Sequence, residues 1–344
     1  MSTAPRRLRF PGWLASPPPP AAVEIARDRV TAVALTGHGD PVLAGHASVG
    51  LPAGAVDPSL NAVNVRDAAA LAAAVGEALD GLSPRPKRIG LVVPDTVAKV
   101  SLVRFEKVPP RLQDLDHLIR WQVRKAAPFR PEEAQIAWLP GHRYGDGARE
   151  FLVTMARRDV VESYEQACAA AGAYAGIVDL AAFNVANLVM ARRAAGGAAA
   201  TPASARASSG DWLLVHAAID YATLVIVRAG DVLFFRNRAS EDGADLADLV
   251  HQTAMYHEDR LGGGGFSRIY LAGATSRGAV DAERLRRELE ERTGARAEPI
   301  GLESAVAWRD RISASPELVD RLSAAVGLLL RERLAGRGAT ERVA

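Results

Sequence analysis

The chain has 344 residues, 49% of them hydrophobic and 24% charged, with 42 basic and 40 acidic side chains and a formal net charge of +2. That length calls for one large domain or two ordinary ones, and the mixed composition excludes disordered and collagen-like classes. The near-neutral charge argues against a dedicated nucleic-acid binder, and the single cysteine excludes a disulfide framework or a cysteine-rich metal site, so a reducing compartment is expected.

No run of about 18 apolar residues occurs, so no membrane-spanning helix is expected. Residues 1–21 carry Arg6, Arg7 and Arg9 with no apolar stretch behind them, which is not a secretory signal. They read as a disordered leader ending in the stiff Pro17–Pro20 spacer. The arginines beside Phe10, Trp13 and Leu14 leave room for at most peripheral contact with an anionic membrane surface.

From Ala22 the chain alternates apolar runs with polar breaks as far as Val49, a pattern that predicts three antiparallel strands. An alanine-rich helix over Asp67–Leu82 and a wholly apolar strand over Arg88–Val93 follow. Next comes a β-α-β-β stretch of about residues 97–157. Its strand is Ala98–Phe105 and its amphipathic helix Arg111–Ala126, and its last two strands are Ala134–Trp138 and Glu150–Met155. Helices are expected at Asp159–Ala171 and Ala181–Arg193.

The segment 194–210 is small and polar and cannot repay its own ordering entropy, so it reads as a linker or long loop. Beyond it the order repeats. Three strand-like runs lie between Asp211 and Ser240, then a helix over Asp245–Leu261, a strand over Arg268–Ala272 and helices over Ala279–Thr293 and Pro316–Leu334. Both meanders carry a Gly-Asp turn signal, Gly39-Asp40 and Gly230-Asp231. The expected architecture is a duplicated α/β protein, residues 22–193 and 211–335, around a cleft, with a short tail over 336–344.

These features resemble the actin-like ATPase superfamily, whose domains are ribonuclease H-like, and the β-α-β-β piece resembles the SHS2-type insert of its bacterial members. Three stretches are similar to the PilM family of type IV pilus assembly proteins: Leu51–Leu79, Asp114–Trp138 and Phe151–Val189. Ala324–Glu332 resembles that family's closing helix. The cytoplasmic GspL-like component of type II secretion shares the architecture.

The resemblance implies ATP and magnesium between the halves, held at an Asp-x-Gly pattern in each first turn. Here the matching positions are Glu24, Ile25, Ala26 and Arg27, then His216, Ala217, Ala218 and Ile219. Ala26 and Ala218 add a Cβ where phosphates need close backbone approach, and His216 replaces a carboxylate. Arg27 could meet a phosphate or fill its space, and Gly273 keeps part of an adenosine-side turn. The expectation is a degenerate site with no cofactor, or with ATP and magnesium bound weakly, and little or no hydrolysis.

The resemblance further implies a cytoplasmic scaffold at the inner face of the inner membrane. It would grip the tail of a membrane-anchored PilN-type partner beside Val100–Phe105 and Leu112–Val123, and other pilus platform components could join it. Phe105, Leu112 and Trp121 are the candidate contacts. The rival reading is an active ATPase or phosphotransferase with Asp179 as its acid; a third is an actin-like filament former. No metal site is expected: His251 and His257 point to different helix faces, and the other histidines are scattered. Gly262–Gly265 reads as a helix stop, Cys168 as a buried structural thiol, and Arg284–Gly294 as a solvated helix face.

Overall fold

The computed structural model describes residues 18–37, 41–197, 210–240, 245–303, 305–308 and 314–340. The leader before residue 18, the Gly39-Asp40 turn, linker positions 198–209 and the tail after 340 lie outside the described residues.

Two sheets share one plan. In the first half β1 (Ala21–Ile25), β2 (Arg29–Thr36) and β3 (Val42–Gly50) form the meander. Helix α1 (Ala68–Asp80) leads into β4 (Arg88–Val93), which runs parallel to β1, and β8 (Tyr174–Leu180) runs parallel to β4. In the second half β9 (Trp212–Ala217), β10 (Tyr221–Arg228) and β11 (Asp231–Ala239) form the meander. There β12 (Arg268–Ala272) runs parallel to β9, and β13 (Ala297–Pro299) parallel to β12. The strand orders β3-β2-β1-β4-β8 and β11-β10-β9-β12-β13 are the same arrangement twice. The first sheet gains β14 (Ala307–Trp308), which returns from the second half to pair with β3.

The strands are apolar because both faces are covered. Every residue of β1 and β9 is buried. Helix α1 and α3 (Arg158–Ala170) cover one face of the first sheet, with Leu71, Val75, Tyr164 and Cys168 in their core. Between the sheets lie α4 (Ala181–Gly197) and α7 (Pro316–Thr340). Their core joins Val33 and Val92 of one sheet to Leu214 and Val225 of the other. The helices cross closely at Gly327, where a Cβ would fall inside the backbone carbonyl of Asn184. Helix α7 also packs on β1, β2 and β4, so packing joins the halves, and the expected linker gives up residues 194–197 to α4.

Local signals account for the helix ends. Asp67 and Asp245 are N-caps, accepting from the backbone N–H of Ala70 and Ala247, so α1 and α5 (Leu246–Leu261) start one residue after the expected first position. Gly262, at φ 62°, is the left-handed stop of α5. Helix α6 (Ala279–Thr293) carries the expected i, i+3 and i, i+4 pairs, among them Arg286–Glu283 and Arg286–Glu290. The β10–β11 hairpin turns at Ala229-Gly230, both with positive φ, while Asp231 already pairs with Arg228. The Gly-Asp signal was therefore one residue late: glycine is the second of the two turn residues, and the Asp opens the strand.

The insert is a three-stranded sheet in the order β5-β7-β6, from β5 (Ala98–Phe105), β6 (Ala134–Arg143) and β7 (Arg149–Arg157), with α2 (Leu112–Arg124) on one face. Leu115, Ile119 and Val123 meet Phe151, Val153 and Met155 there. Among the described residues no helix is long and apolar enough to cross a membrane.

Candidate functional site

Two concavities adjoin the segment that follows β4, with Pro94 in the lining of one and Val97 in that of the other. The first is the cleft between the halves. Glu24, Asp95, His216 and Gly273 stand at the carboxyl ends of β1, β4, β9 and β12, the place where open α/β sheets present ligand-binding groups. The cleft is also lined by Ala26, Arg27, Ala218 and Asp320, and it encloses only about 30 Å³, room for about one water. Nucleotide-sized ligands occupy sites of roughly 300–1,000 Å³.

Buried side chains occupy the interior instead. Asp95, fully buried, opens the one-turn helix Asp95–Val97 after β4. Its Oδ1 accepts the Ala182 N–H at 2.9 Å. Its Oδ2 accepts the Thr223 hydroxyl at 2.7 Å and lies 3.4 Å from His216 Nδ1. Thr223 in turn accepts from Asn237 Nδ2 at 2.8 Å. Burial disfavours charge on the His216 imidazole, but the bond to Asp95 and the charges of Asp95, Glu24 and Asp320 outweigh it, so its pKa is raised. Burial also raises the Glu24 carboxyl, against Arg29 and His216, and Glu24 Oε2 has no hydrogen-bond partner among the described residues.

The remaining sequence candidates fall at the cleft's rim. Ala26 closes the β1–β2 turn through its N–H to the Arg29 carbonyl at 2.9 Å. Arg27 reaches outward to Asp57 at 3.8 Å. Gly273, at φ 74°, could not carry a side chain, since a Cβ would stand 2.9 Å from the Ala217 carbonyl oxygen. Asp320 of α7 accepts the Thr275 N–H and hydroxyl at 3.1 and 2.6 Å, fixing the turn after Gly273. Among the described residues no group of three or more His, Cys, Asp or Glu could hold a metal ion.

The second concavity, about 400 Å³, lies between the insert and the main body. Along β7, Phe151, Val153 and Met155 face α2 while Leu152, Thr154 and Ala156 line the cavity. Alternation therefore places it on the side of the insert sheet away from α2. Phe183, Ala186 and Met190 of α4 form the opposite wall, with Val97 and Ala98 at one end. Gly230, Asp231 and Val232 of the second half complete it. At its edge the insert's His142 Nδ1 lies 3.4 Å from Asp231.

Asp179 lines this cavity and not the cleft. Burial raises its carboxyl, against the pull of Arg331, with which it is ion-paired, and it accepts the Leu180 N–H at 2.8 Å. An acid for cleft chemistry is thus displaced from the cleft. The sequence-predicted partner groove needs correcting as well. Phe105 packs inside the insert, 5.9 Å from the Phe151 ring. Leu112 and Trp121 are about two and a half helical turns apart, so they project to opposite faces of α2. Trp121, 59% exposed, points away from the sheet, with Lys125 over its ring at 5.6 Å. The three residues form no common groove.

Sequence reading also missed Asp95 and Thr223. The duplication offered a signal: Asp95 follows β4 by the same offset as Ala274 follows β12, and each begins a one-turn helix. His216, His142 and His46 lie in strands and not in turns. His257 is buried against Asp211, its Nε2 at 2.6 Å from the carboxylate. Cys168 is a buried thiol whose pKa burial pushes up to about 12.

No protein-family model matches the sequence, and no curated protein matches it. Solved structures do match. A chain of the PilM-PilN type IV pilus biogenesis complex superposes with TM-score 0.75 at 20% identity, covering 91% of this chain and 98% of that one. The cytoplasmic domain of EpsL, an inner membrane component of the type II secretion system of Vibrio cholerae, gives TM-score 0.45 at 11% identity, covering 92% and 94%. A Bacteroides thetaiotaomicron protein with an actin-like ATPase fold and unknown function gives 0.45 at 11%, covering 81% and 90%. The duplicated sheets, the insert and the cleft of this chain thus compose the α/β fold seen in the PilM-PilN structure.

Proposed function

We propose that this chain is a cytoplasmic scaffold of a type IV pilus or related secretion machine. It seats the tail of a membrane-anchored PilN-type partner in the 400 Å³ cavity and does not turn over nucleotide. The carrying observation is that cavity: large, mostly apolar, and walled by the insert and both halves of a chain with the fold of the PilM-PilN complex. Exposed Ala137 and Leu139 on β6 offer apolar surface to an extended segment. Strand β6 is one of the two outer strands of its sheet, so its main chain can add hydrogen bonds, except that Pro140 cannot donate. The cleft supports the second part of the reading, because side chains fill the space a triphosphate needs.

The test is co-purification with the PilN-type protein of the same organism, full-length and without its cytoplasmic tail. Recovery of the full-length partner alone is expected, and equal recovery of the tailless form sinks the assignment. Magnesium-ATP titration with single-turnover hydrolysis tests the rest: no turnover is expected, and micromolar binding with turnover refutes it.

A further inference from the structure

The cleft and the cavity are joined by one short element. Asp95 and Val97 are the ends of the same one-turn helix. Asp95 faces the second half through Thr223 and His216, while Val97 and the following Ala98 form part of the cavity wall. A second connection runs in parallel. Asp95 Oδ1 holds the Ala182 N–H, and the next residue, Phe183, lines the cavity. A third comes from the far side: Asn237 holds Thr223, and two residues earlier on β11 the Phe235 ring packs on Phe183 at 5.1 Å between centroids.

We propose that Asp95 is a positioning residue for the tail-binding cavity. Its carboxylate bridges the halves across the closed cleft and thereby sets the Val97–Ala98 wall and the first turn of α4 against the insert. This rests on the cavity being the tail site and adds how that site is held in shape. A carboxylate with no exposure must have its lone pairs satisfied, and three of its partners lie on three separate elements: α4, β9 and β10. Loss of any one lets the halves shift where the cavity wall is anchored. The bridge takes no part in contacting the tail, so its effect on binding is transmitted through the turn.

The groups facing this bridge set its pH response. His216 is approached by Asp95, Glu24 and Asp320, with the Tyr221 ring edge-on at 5.7 Å, and Glu24 is approached in turn by Arg29 and Asp28. His216 carries its charge to a higher pH in the folded chain than in the unfolded one. The bridge is therefore strongest below the ordinary histidine range and weakens as pH rises through the raised value.

The experiment measures binding of a synthetic peptide, the cytoplasmic tail of the organism's PilN-type protein, to the full chain by calorimetry at pH 6 and pH 8. Thr223→Val and Asp95→Asn should each weaken binding about fivefold, the worth of one net hydrogen bond. Thr223→Ser should restore it, and the double variant should lose little more than either single one, since both remove the same bridge. Wild-type binding should weaken from pH 6 to pH 8, and Thr223→Val should flatten that profile. If Asp95→Asn does not fold, Thr223→Val and Asn237→Ala carry the test. Ala137→Trp, which fills the cavity directly, separates the two claims. If it leaves binding intact, the tail site is wrong. If it abolishes binding while Thr223→Val and Asn237→Ala bind as wild type at both pH values, the tail site stands and the role of Asp95 is overturned.

Discussion

The cleft and the cavity meet at the segment after β4, Pro94 lining one and Val97 the other, and differ in almost everything else. The cleft is polar, cross-linked and shut, about 30 Å³ lined by Glu24, His216 and Asp320. The cavity is more than ten times larger, and its lining is dominated by groups such as Val97, Leu152 and Phe183. In the cleft, Asp95 and Asp320 already hold hydrogen-bond partners, which a ligand would have to displace. An apolar wall has no such internal partner and stays available to a segment that brings its own apolar side chains.

The sharpest way to break this contrast is to fill the larger concavity. Ala137→Trp should lower affinity for the partner tail a hundredfold or more by calorimetry. Its melting temperature should barely move, because Ala137 is exposed. Next is the shared support: Gly327→Ala should cost ~1–3 kcal/mol or more in a denaturant melt, since the Asn184 backbone must retreat to admit a methyl group. Because α4 moves with it, this variant should loosen cavity and cleft together.

The cleft side of the bridge is addressed by His216→Asn. The raised His216 pKa makes its contribution complete below about pH 6.5 and lost as pH climbs through the folded value. The raised carboxyls of Glu24 and Asp220 act in the same direction. Wild-type stability should thus fall as pH rises from about 6.5 through the folded His216 value, and the variant's profile should be flatter over that range. The smallest effect belongs to Trp121→Ala. With the ring on the outer face of α2, tail affinity should change less than twofold; a tenfold loss would return the groove to that face.

Much of the architecture was legible because burial on both sides writes itself as uninterrupted apolar runs, as in Arg88–Val93 and Arg268–Ala272. The insert's strand Ala98–Phe105 and the helix Ala279–Thr293 matched the expectation residue for residue. Strand β14 escaped notice because two residues, Ala307 and Trp308, carry no period. Ala26, Arg27 and Ala218 were read as departures from a phosphate-binding turn. Their replacement was invisible, because Asp95 finds Ala182, His216 and Thr223 at separations of 87, 121 and 128 residues. The position of the larger cavity was illegible for a related reason. Both faces of β7 carry apolar side chains, and only the packing of α2 shows which of them is already taken.

The position of α7 bears on how the chain is made. Its Leu322, Val326 and Leu329 complete a core that also needs Ala22 and Val33 near the beginning. On a ribosome, the opening strands must therefore wait until α7 has emerged before their inner face is covered. A truncation that removes α7 should leave both sheets exposed on the sides that meet it, and nascent chains stalled before that helix should be the form most dependent on chaperones.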